Sequence, residues 1–573
     1  MRALLVSPSF PRNMWSYERA LELIGRKYPL PPLGLATVAA LLPQDWQFTL
    51  VDRNLRSATE DEWGRADIVL ISAMSAQRDD LLAQIREARR RGKPVVVGGP
   101  YPTTLPDEVE AAGADALVLD EGEITISLFL EALRAGRPRG RFGAAGRFAD
   151  LTSSPLPRFD LLDLEAYDGM SVQFSRGCPY HCEFCDVTVI YGRRARTKRP
   201  AQLLAELDRL RAIGWNRSVF IVDDNFVGHR GRVRALLEEL RGWQRRHGYP
   251  FEFSTEASVD LAACPDLLEL MAECNFNAVF LGIETPDEAS LTATGKTQNT
   301  RQPLEEAVAT ITRAGLRVMG GFIIGFDGET PGAGERIYRF VERTSIPTTL
   351  FSVLQALPRT ALWHRLEREG RLVGEDARLN PDSLTNIVPT RSLSEIAREY
   401  VDALWKMYDS RHFLDRTYRH FLMLGAPRWE SSRRPPKRPT WRDVRALLRL
   451  FWRQGVKRST RWRFWHHLVS VWRRNPRVLM HYIIINAHLE HFLEFRETVR
   501  RKVELHFPMI ERAPAESGAR RASMQQDRGE VAEDEEEHGD HDGSPGLQAR
   551  EVAELDAQHL SHPSSSSSTN SSP

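Results

Sequence analysis

Three thiols are crowded into one short run, Ser175-Arg-Gly-Cys-Pro-Tyr-His-Cys-Glu-Phe-Cys185, at the spacing C-x3-C-x2-C. Cys178, Cys182 and Cys185 can supply three thiolates from a single loop, which suits a 4Fe–4S cluster. Three ligands for four irons leave one iron open, and an open coordination position can bind and activate a small molecule. A cluster that only carries electrons would ordinarily take a fourth cysteine. Zinc is the alternative metal, with His181 inside the loop as the fourth ligand. Cys264 precedes Pro265 and Cys274 ends the apolar stretch Leu267–Cys274, so both read as packing residues. Five cysteines in 573 residues do not make a disulfide framework, and the chain reads as cytoplasmic.

The elements that must position this loop follow from the patterning. Residues 1–140 alternate short apolar runs with amphipathic stretches, giving strands at Ala3–Ser7, Phe48–Asp52, Ile68–Ala73, Val95–Gly98 and Ala116–Leu119 and a helix at Asp80–Arg91. Such alternation predicts a doubly wound α/β domain with a parallel sheet. Its strands end in Val51-Asp-Arg-Asn54, Gly98-Gly-Pro100 and Asp120-Glu-Gly-Glu123, at the edge where such sheets bind ligands. No G-x-G-x-x-G occurs, which argues against a nicotinamide cofactor. Residues 141–170, with Ser153-Ser-Pro-Leu-Pro157, read as a linker. A second alternation fills 171–384, with strands at Ser171–Phe174, Val219–Val222, Glu252–Thr255, Ala278–Ile283, Val318–Ile324 and Leu350–Leu354 and helices at Pro200–Ala212 and Arg232–Arg246. Parallel βα units in this number predict a partial (βα)6 barrel with its functional groups at strand C-termini, and the cysteine loop follows the first strand.

Residues 385–512 read as a helical C-terminal domain. Residues 428–477 are basic, with Arg433-Arg-Pro-Pro-Lys-Arg438 and tryptophans at 429, 441, 452, 462, 465 and 472 interleaved. Tryptophan at helical spacing is expected inside, with the arginines solvated; an anionic lipid surface is the next reading, and nucleic acid is disfavoured. Lys and Arg (78) balance Asp and Glu (77), so no global charge argues for nucleic acid. Residues 513–573, acidic and then serine-rich, read as a disordered tail. Arg2-Ala-Leu-Leu-Val6 reads as a strand rather than a leader, and no apolar run reaches membrane-spanning length.

The cysteine loop, with the aromatic Phe184 before its third cysteine, resembles that of radical S-adenosylmethionine enzymes. In that family, the resemblance implies, the open iron chelates S-adenosylmethionine and one electron yields a 5′-deoxyadenosyl radical. Phe220-Ile-Val-Asp-Asp-Asn-Phe226 resembles the segment beside the methionine amino group, which implies that Asp223 and Asp224 face that ammonium, unless one caps the next helix. Glu256 follows the third strand of the barrel and is a further candidate toward S-adenosylmethionine, with an ordinary salt bridge as the alternative. Gly282-Ile-Glu-Thr285 resembles the ribose-contacting segment, with Glu284 as acceptor, and Gly320-Gly-Phe-Ile-Ile-Gly325 the strand near the adenine, with Gly325 at its end. The first domain resembles the cobalamin-binding domain that precedes many such barrels. That implies cobalamin contacts from Asp52, Asn54, Ser72, Gln77, Gly98, Gly99, Glu121 and Gly122. The segment comparable with the family's D-x-H-x-x-G is Asp52-Arg-Asn-Leu-Arg-Ser57, with Asn54 in place of histidine, and no histidine precedes His181. A non-histidine side chain near Ser72–Arg78, water, or nothing is therefore expected beneath cobalt.

Within this family the chain is most similar to the hopanoid C-2 methylase-like group, on Met170-Ser-Val-Gln-Phe-Ser-Arg-Gly-Cys178, Gly192-Arg-Arg-Ala-Arg-Thr-Lys198, Thr292-Ala-Thr-Gly-Lys-Thr-Gln298 and His488-Leu-Glu-His-Phe-Leu-Glu-Phe495. The resemblance implies methylation of an unactivated carbon of a small-molecule, lipid- or hopanoid-like substrate. It also implies a one-electron donor of flavodoxin or ferredoxin type. Peripheral contact with the inner face of the cell membrane through 428–477 is a further expectation. A cobalamin-dependent cyclase or rearrangement enzyme would share these motifs, and so would a sensor without catalysis. Tyr191 and Arg193–Lys198 follow the cluster loop; that basic run is expected to be a solvated face.

Overall fold

Runs such as Val95-Val-Val97 and Ile68-Val-Leu-Ile71 are apolar on both faces, as strands must be when helices cover both sides of a sheet. The computed structural model describes residues 1–373, 384–425 and 441–505. The strands are β1 Arg2–Ser7, β2 Gln47–Asp52, β3 Ile68–Ser72, β4 Val95–Gly98, β5 Ala116–Val118 and β6 Gly140–Phe142 in the first half. In the second half they are β7 Gly169–Val172, β8 Ser175–Arg176, β9 Arg196–Thr197, β10 Ser218–Ile221, β11 Glu252–Ala257, β12 Phe276–Glu284, β13 Arg317–Ile324 and β14 Thr348–Val353.

The first sheet has six strands in the order β2-β1-β3-β4-β5-β6, all parallel. One strand, β6, escaped the sequence reading because it is a three-residue, largely exposed edge. The second sheet runs β14-β13-β12-β11-β10-β7, also parallel, and β14 does not pair with β7. It is an open barrel of six strands, as expected. Residues 141–170, expected as a linker, are packed structure. They take in the end of β6 and the start of β7, they bury Phe159 and Tyr167, and Tyr28 pairs with Tyr167. Proline and glycine content is equally compatible with a tightly packed irregular segment, so composition could not separate the two.

Both sheets place their carboxyl-terminal edges toward each other, with the cysteine loop between. Arg176, at the base of that loop, bonds to Glu121 at 3.0 Å and to Glu123 at 2.8 Å, just past β5. Arg196 reaches Glu121 at 2.8 Å, and Arg359, after β14, donates to the Thr103 carbonyl at 3.1 Å. Burial works against ionising Glu123, but the Arg176 guanidinium outweighs it and holds the carboxyl down to about 2. The basic run after the cluster loop is thus only half a solvated face. Arg193 and Arg194 are exposed, while Arg196 and Lys198 are spent on Glu121 and Glu206.

The helices Leu393–Met407, Ser410–Met423, Trp441–Trp452 and Arg461–Arg474 and a helix over 479–505 follow the barrel. They share its apolar core: Tyr408, Phe413, Tyr482, Leu489 and Phe492 belong to the same buried cluster as Val219, Leu281 and Phe351. They sit at the amino-terminal ends of the barrel strands, where the Tyr408 hydroxyl donates to the Thr349 carbonyl at 2.7 Å and His481 lies 3.3 Å from Glu252. The last helix also holds the segment after β1. His491 lies 3.1 Å from the Met14 carbonyl, Tyr17 stacks on His488 at 4.6 Å, and Arg19 pairs with Glu494 at 2.6 Å. The tryptophans of this region were expected inside; Trp441, Trp452, Trp462 and Trp472 are instead exposed. Trp429 and Arg433–Arg438 lie outside the described residues, as does the tail over 513–573.

Trp243 tests the barrel's outer layer. It is 2% exposed, stacks on Phe251 at 5.6 Å and donates to Asp208 at 3.0 Å. Trp243→Ala should cost about 3–5 kcal/mol, read as a lowered urea midpoint.

Candidate active site

After β7 the chain turns into the cysteine loop, and the end of β10 makes that turn. The Asp223 carboxylate accepts from the Phe174 N–H at 2.8 Å, the Ser175 N–H at 2.9 Å and the Ser175 hydroxyl at 2.6 Å. Burial still pushes its carboxyl up to about 6. Asp224 accepts from the Gly177 N–H at 2.9 Å. Gly177 has φ 87°, and a Cβ there would lie 2.7 Å from the Arg194 carbonyl oxygen, so the residue before the first cysteine must be glycine. The loop's far side is tied to the segments that follow β12 and β14. The Glu183 N–H donates to the Thr294 carbonyl at 3.0 Å, the Leu362 N–H donates to the Glu183 carbonyl at 2.9 Å, and Arg365 pairs with Glu183 at 2.9 Å.

Amide and ammonium groups face the thiols. The Asn225 amide lies 3.9 Å from Cys178 Sγ and the Gln298 amide 3.5 Å from Cys182 Sγ. Lys296 is buried and its ammonium is held charged against burial by Glu284, at 2.5 Å, and then by Cys182 and Cys185. Burial raises the Cys178 and Cys185 thiols. Donors aimed at sulfur, with a cation behind them, suit thiolates that hold an iron–sulfur cluster. Ligands of a single zinc ion would converge on one point at about 2.3 Å each. Among the described residues no three His, Cys, Asp or Glu side chains form such a group. His181 is exposed. The donors aimed at sulfur fit thiolates that hold a cluster.

The other barrel residues gather round the loop. Phe184 packs on Phe326 at 5.7 Å, with the Lys296 ammonium 5.7 Å from its ring. Glu284 has φ 65°, and a Cβ on Gly282 would lie 2.6 Å from its Oε1, so Gly282 leaves the room that the Glu284–Lys296 pair fills. Gly325 has φ 99° and donates its N–H to Glu329 at 2.9 Å. Glu256 has no cation partner among the described residues; burial and then the neighbouring Asp224 push its carboxyl up to about 7. Burial also pushes Asp224 up to about 6. Asp223 is different: both its oxygens are committed to the loop's own backbone, so it orients the loop and does not face the space beyond it.

In the first domain the expected residues divide in the same way. Ser72, Gly98 and Gly99 stand half-buried at the carboxyl ends of β3 and β4. Gly99 has φ 101°, and a Cβ there would lie 2.7 Å from Ser72 Oγ; a Cβ on Gly98 would lie 3.0 Å from the Val118 carbonyl. Gly122 opens the helix Gly122–Arg134. These glycines let neighbouring backbone approach closely and keep side-chain bulk off the strand ends, where ligands of such sheets bind. Asp52 instead accepts from the Asn54 N–H at 2.9 Å and the Tyr167 hydroxyl at 2.8 Å, and Asn54 accepts from the Phe10 N–H at 2.9 Å. Gln77 accepts from the Met74 N–H at 2.9 Å and donates to the Pro8 carbonyl. Glu121 is the ion-pair partner of Arg176 and Arg196. These four are framework residues, spent on internal bonds. Within Ser72–Arg78, Met74 is the large side chain left exposed.

Sequence reasoning passed over Arg176, Asn225, Lys296 and Gln298. Each lies inside a quoted segment, but neither an amide nor a lone cation carries a spacing signal; only the fold shows that they converge on the thiols or on the first domain.

Comparisons with known proteins agree with this geometry. Residues 172–341 match the radical SAM superfamily, residues 23–130 the B12 binding domain and residues 360–505 a domain of unknown function. An uncharacterized methyltransferase of Synechocystis sp. is 59% identical over 504 residues, covering 88% of this chain and 93% of its own. The hopanoid C-2 methylase of Rhodopseudomonas palustris is 36% identical over 471 residues, covering 81% and 88%. Among solved structures, the fold is shared with the cobalamin-dependent S-adenosylmethionine radical enzyme OxsB at TM-score 0.54 and 16% identity, over 89% of this chain and 81% of that one. It is shared also with the methyltransferase TsrM from Kitasatospora setae, at TM-score 0.54 and 17% identity, over 72% and 82%. With a three-cysteine loop latched between two parallel sheets and full-length relatives of this kind, the chain belongs to the cobalamin-dependent radical S-adenosylmethionine methyltransferases, in the group of the hopanoid C-2 methylase.

Proposed function

We propose that the substrate of this enzyme is a membrane-resident, hopanoid-like lipid, methylated at an unactivated carbon. The observation that carries the reading is the latch between Arg176 and the Glu121–Glu123 edge, which fastens the cluster loop to the carboxyl-terminal edge of the first sheet. Two observations support a lipid. A hopanoid methylase is similar over 88% of its own length. The barrel's partly open positions include Phe280, Ile323 and Leu350, and Gly321 leaves the room that Phe280 occupies, since a Cβ there would lie 2.8 Å from that ring.

When bound, the cluster and S-adenosylmethionine together supply hydrogen abstraction, and cobalamin supplies a transferable methyl group. Cys178, Cys182 and Cys185 would hold three irons. Phe184, Asp224, Glu256, Glu284 and Gly325 would border S-adenosylmethionine, with Asp223 orienting the loop. Ser72, Gly98, Gly99 and Gly122 would bear cobalamin. The domains we assign are 1–140 for cobalamin, 171–384 for the radical barrel and 385–512 for the helical domain. Reduction would come from a flavodoxin- or ferredoxin-type protein. The place of work would be the inner face of the cell membrane, met through 428–477; among the described residues no helix is long and apolar enough to cross it. The chain's own contribution is to exclude water and keep both cofactors in register.

Incubation of the reduced enzyme with deuterated-methyl S-adenosylmethionine and a hopanoid-type lipid should give a labelled product. Release of 5′-deoxyadenosine without label would instead assign the chain to ring closure or rearrangement. Cys182→Ala should abolish 5′-deoxyadenosine release; unchanged release would reject the cluster assignment.

Arg176→Met keeps the aliphatic stem but removes the latch, leaving buried Glu121 and Glu123 without their Arg176 partner at a cost of about 3–5 kcal/mol. The expected result is more 5′-deoxyadenosine per methylated product, measured by chromatography of both. An unchanged ratio would show that the latch does not hold the cofactors in register.

Glu256 sets a pH dependence. Its carboxyl, raised from 4.5 to about 7, carries full charge only above neutrality. A cationic ligand favours that charge. S-adenosylmethionine should therefore bind more tightly as pH rises from about 6 to 8, by up to about tenfold per pH unit below the shifted value. Glu256→Gln should flatten the profile in anaerobic titration calorimetry. Without ligand the sign reverses: the native state holds this proton longer than the unfolded chain does, so this group's contribution to stability is lost as pH rises from 4.5 toward about 7.

A further inference from the structure

The helix Arg461–Arg474 is apolar on two opposite sides. Phe464, His467 and Val471 are buried against the rest of the domain, while Trp462 (75% exposed), Val469 and Trp472 emerge on the other side at helical spacing. The helix Trp441–Trp452 repeats the arrangement: Ala446 and Leu450 are buried, and Trp441 (76% exposed), Leu448 and Trp452 face outward. The π-helical turn Arg453–Lys457 joins the two and leaves Val456 exposed. Large apolar side chains on an outward face add nothing to this chain's core.

The charge on this surface has one sign. From Val444 to Val478 the sequence contains no Asp or Glu. Arg458 and Arg463 are paired, with Glu490 and Asp415. Arg445, Arg449, Arg453, Lys457, Arg473 and Arg474 have no carboxylate partner among the described residues. Trp462, Trp465, His466 and Arg473 line a shallow hollow on the outward side of the second helix.

We propose that these two outward faces dock the enzyme on an anionic bilayer, in the plane of the interface. The inference rests on the lipid-substrate reading above and names the surface through which the membrane is met. Tryptophan settles at the headgroup level, basic side chains meet the anionic headgroups, and the stems of arginine lie along apolar surface. Single-stranded nucleic acid would use the same rings and cations, but it gives Leu448, Val456 and Val469 nothing to bury against. The aliphatic residues decide between the two.

The test is flotation of the full-length protein with vesicles of phosphatidylcholine alone or mixed with phosphatidylglycerol, beside a single-stranded oligonucleotide control. The expected result is binding to the mixed vesicles that weakens with salt. Arg473→Gln with Arg474→Gln should weaken it about thirtyfold. Trp462→Ala with Trp472→Ala should weaken it about tenfold or more. All four positions are on the surface, so thermal melting followed by circular dichroism should not change. Absence of flotation at low salt, flotation indifferent to both double variants, or retention of the oligonucleotide in place of vesicles would overturn the proposal. Methylation of detergent-dispersed lipid separates the two readings. Variants that lose vesicles but still methylate dispersed lipid support both. A protein that floats with mixed vesicles but methylates no hopanoid-type lipid keeps the docking surface and loses the substrate reading.

Discussion

The arrangement depends on desolvated charge at the base of the cysteine loop. Arg176 stands two residues before Cys178 and is committed to Glu121 and Glu123 on the other sheet. Removing three charges from water is costly unless each is satisfied, and here each carboxylate has further partners: Glu121 meets Arg196 and the Ala149 N–H, and Glu123 meets the Ser154 hydroxyl. Such a network tolerates little displacement. It makes the position of the cluster loop a property of both sheets.

Around that constraint the barrel uses backbone to hold its loop and leaves its reactive side chains free. Asp223 and Asp224 spend carboxylate oxygens on main-chain N–H groups, while glycines at 177 and 295 let strands of backbone approach where any side chain would collide. The three thiols need no covalent closure to face the same region. The amides of Asn225 and Gln298 and the ammonium of Lys296 come from the ends of β10 and the turn after β12, so sulfur is met by donors from separate elements. The helical domain closes the opposite end of the barrel and grips residues 14–19, the segment after β1, which gives the first α/β half a second attachment besides the latch.

Two kinds of residue on this chain look alike in sequence and differ in the fold. Asp52, Gln77, Glu121 and Asp223 occupy strand ends where ligand-binding side chains are expected, yet each is saturated by internal hydrogen bonds or ion pairs. Glu256 and Ser72 occupy equivalent places and are not saturated in that way. A strand end in an α/β protein is the natural place for a ligand and also the natural place for a loop to be fastened, since the polypeptide must turn there in either case. The tryptophans show the same ambiguity. Trp215 and Trp243 are core residues, Trp462 and Trp472 stand in solvent, and helical periodicity alone does not say which side of a doubly apolar helix is inward.

The local spacing of Cys178, Cys182 and Cys185, the strand–helix alternation and the absence of any histidine before His181 were legible in the sequence, because they depend on neighbours within a few residues. All eleven expected strands are found within two residues of where patterning put them; the edge strand β6 is too short and too exposed to show a period. The convergence of Arg176 with Glu121, of Lys296 with the thiols, and of Asn225 with Cys178 was decided only by tertiary structure. Those contacts join residues 47 to 114 positions apart. No local propensity encodes such pairs; the twist and register of two parallel sheets bring them together.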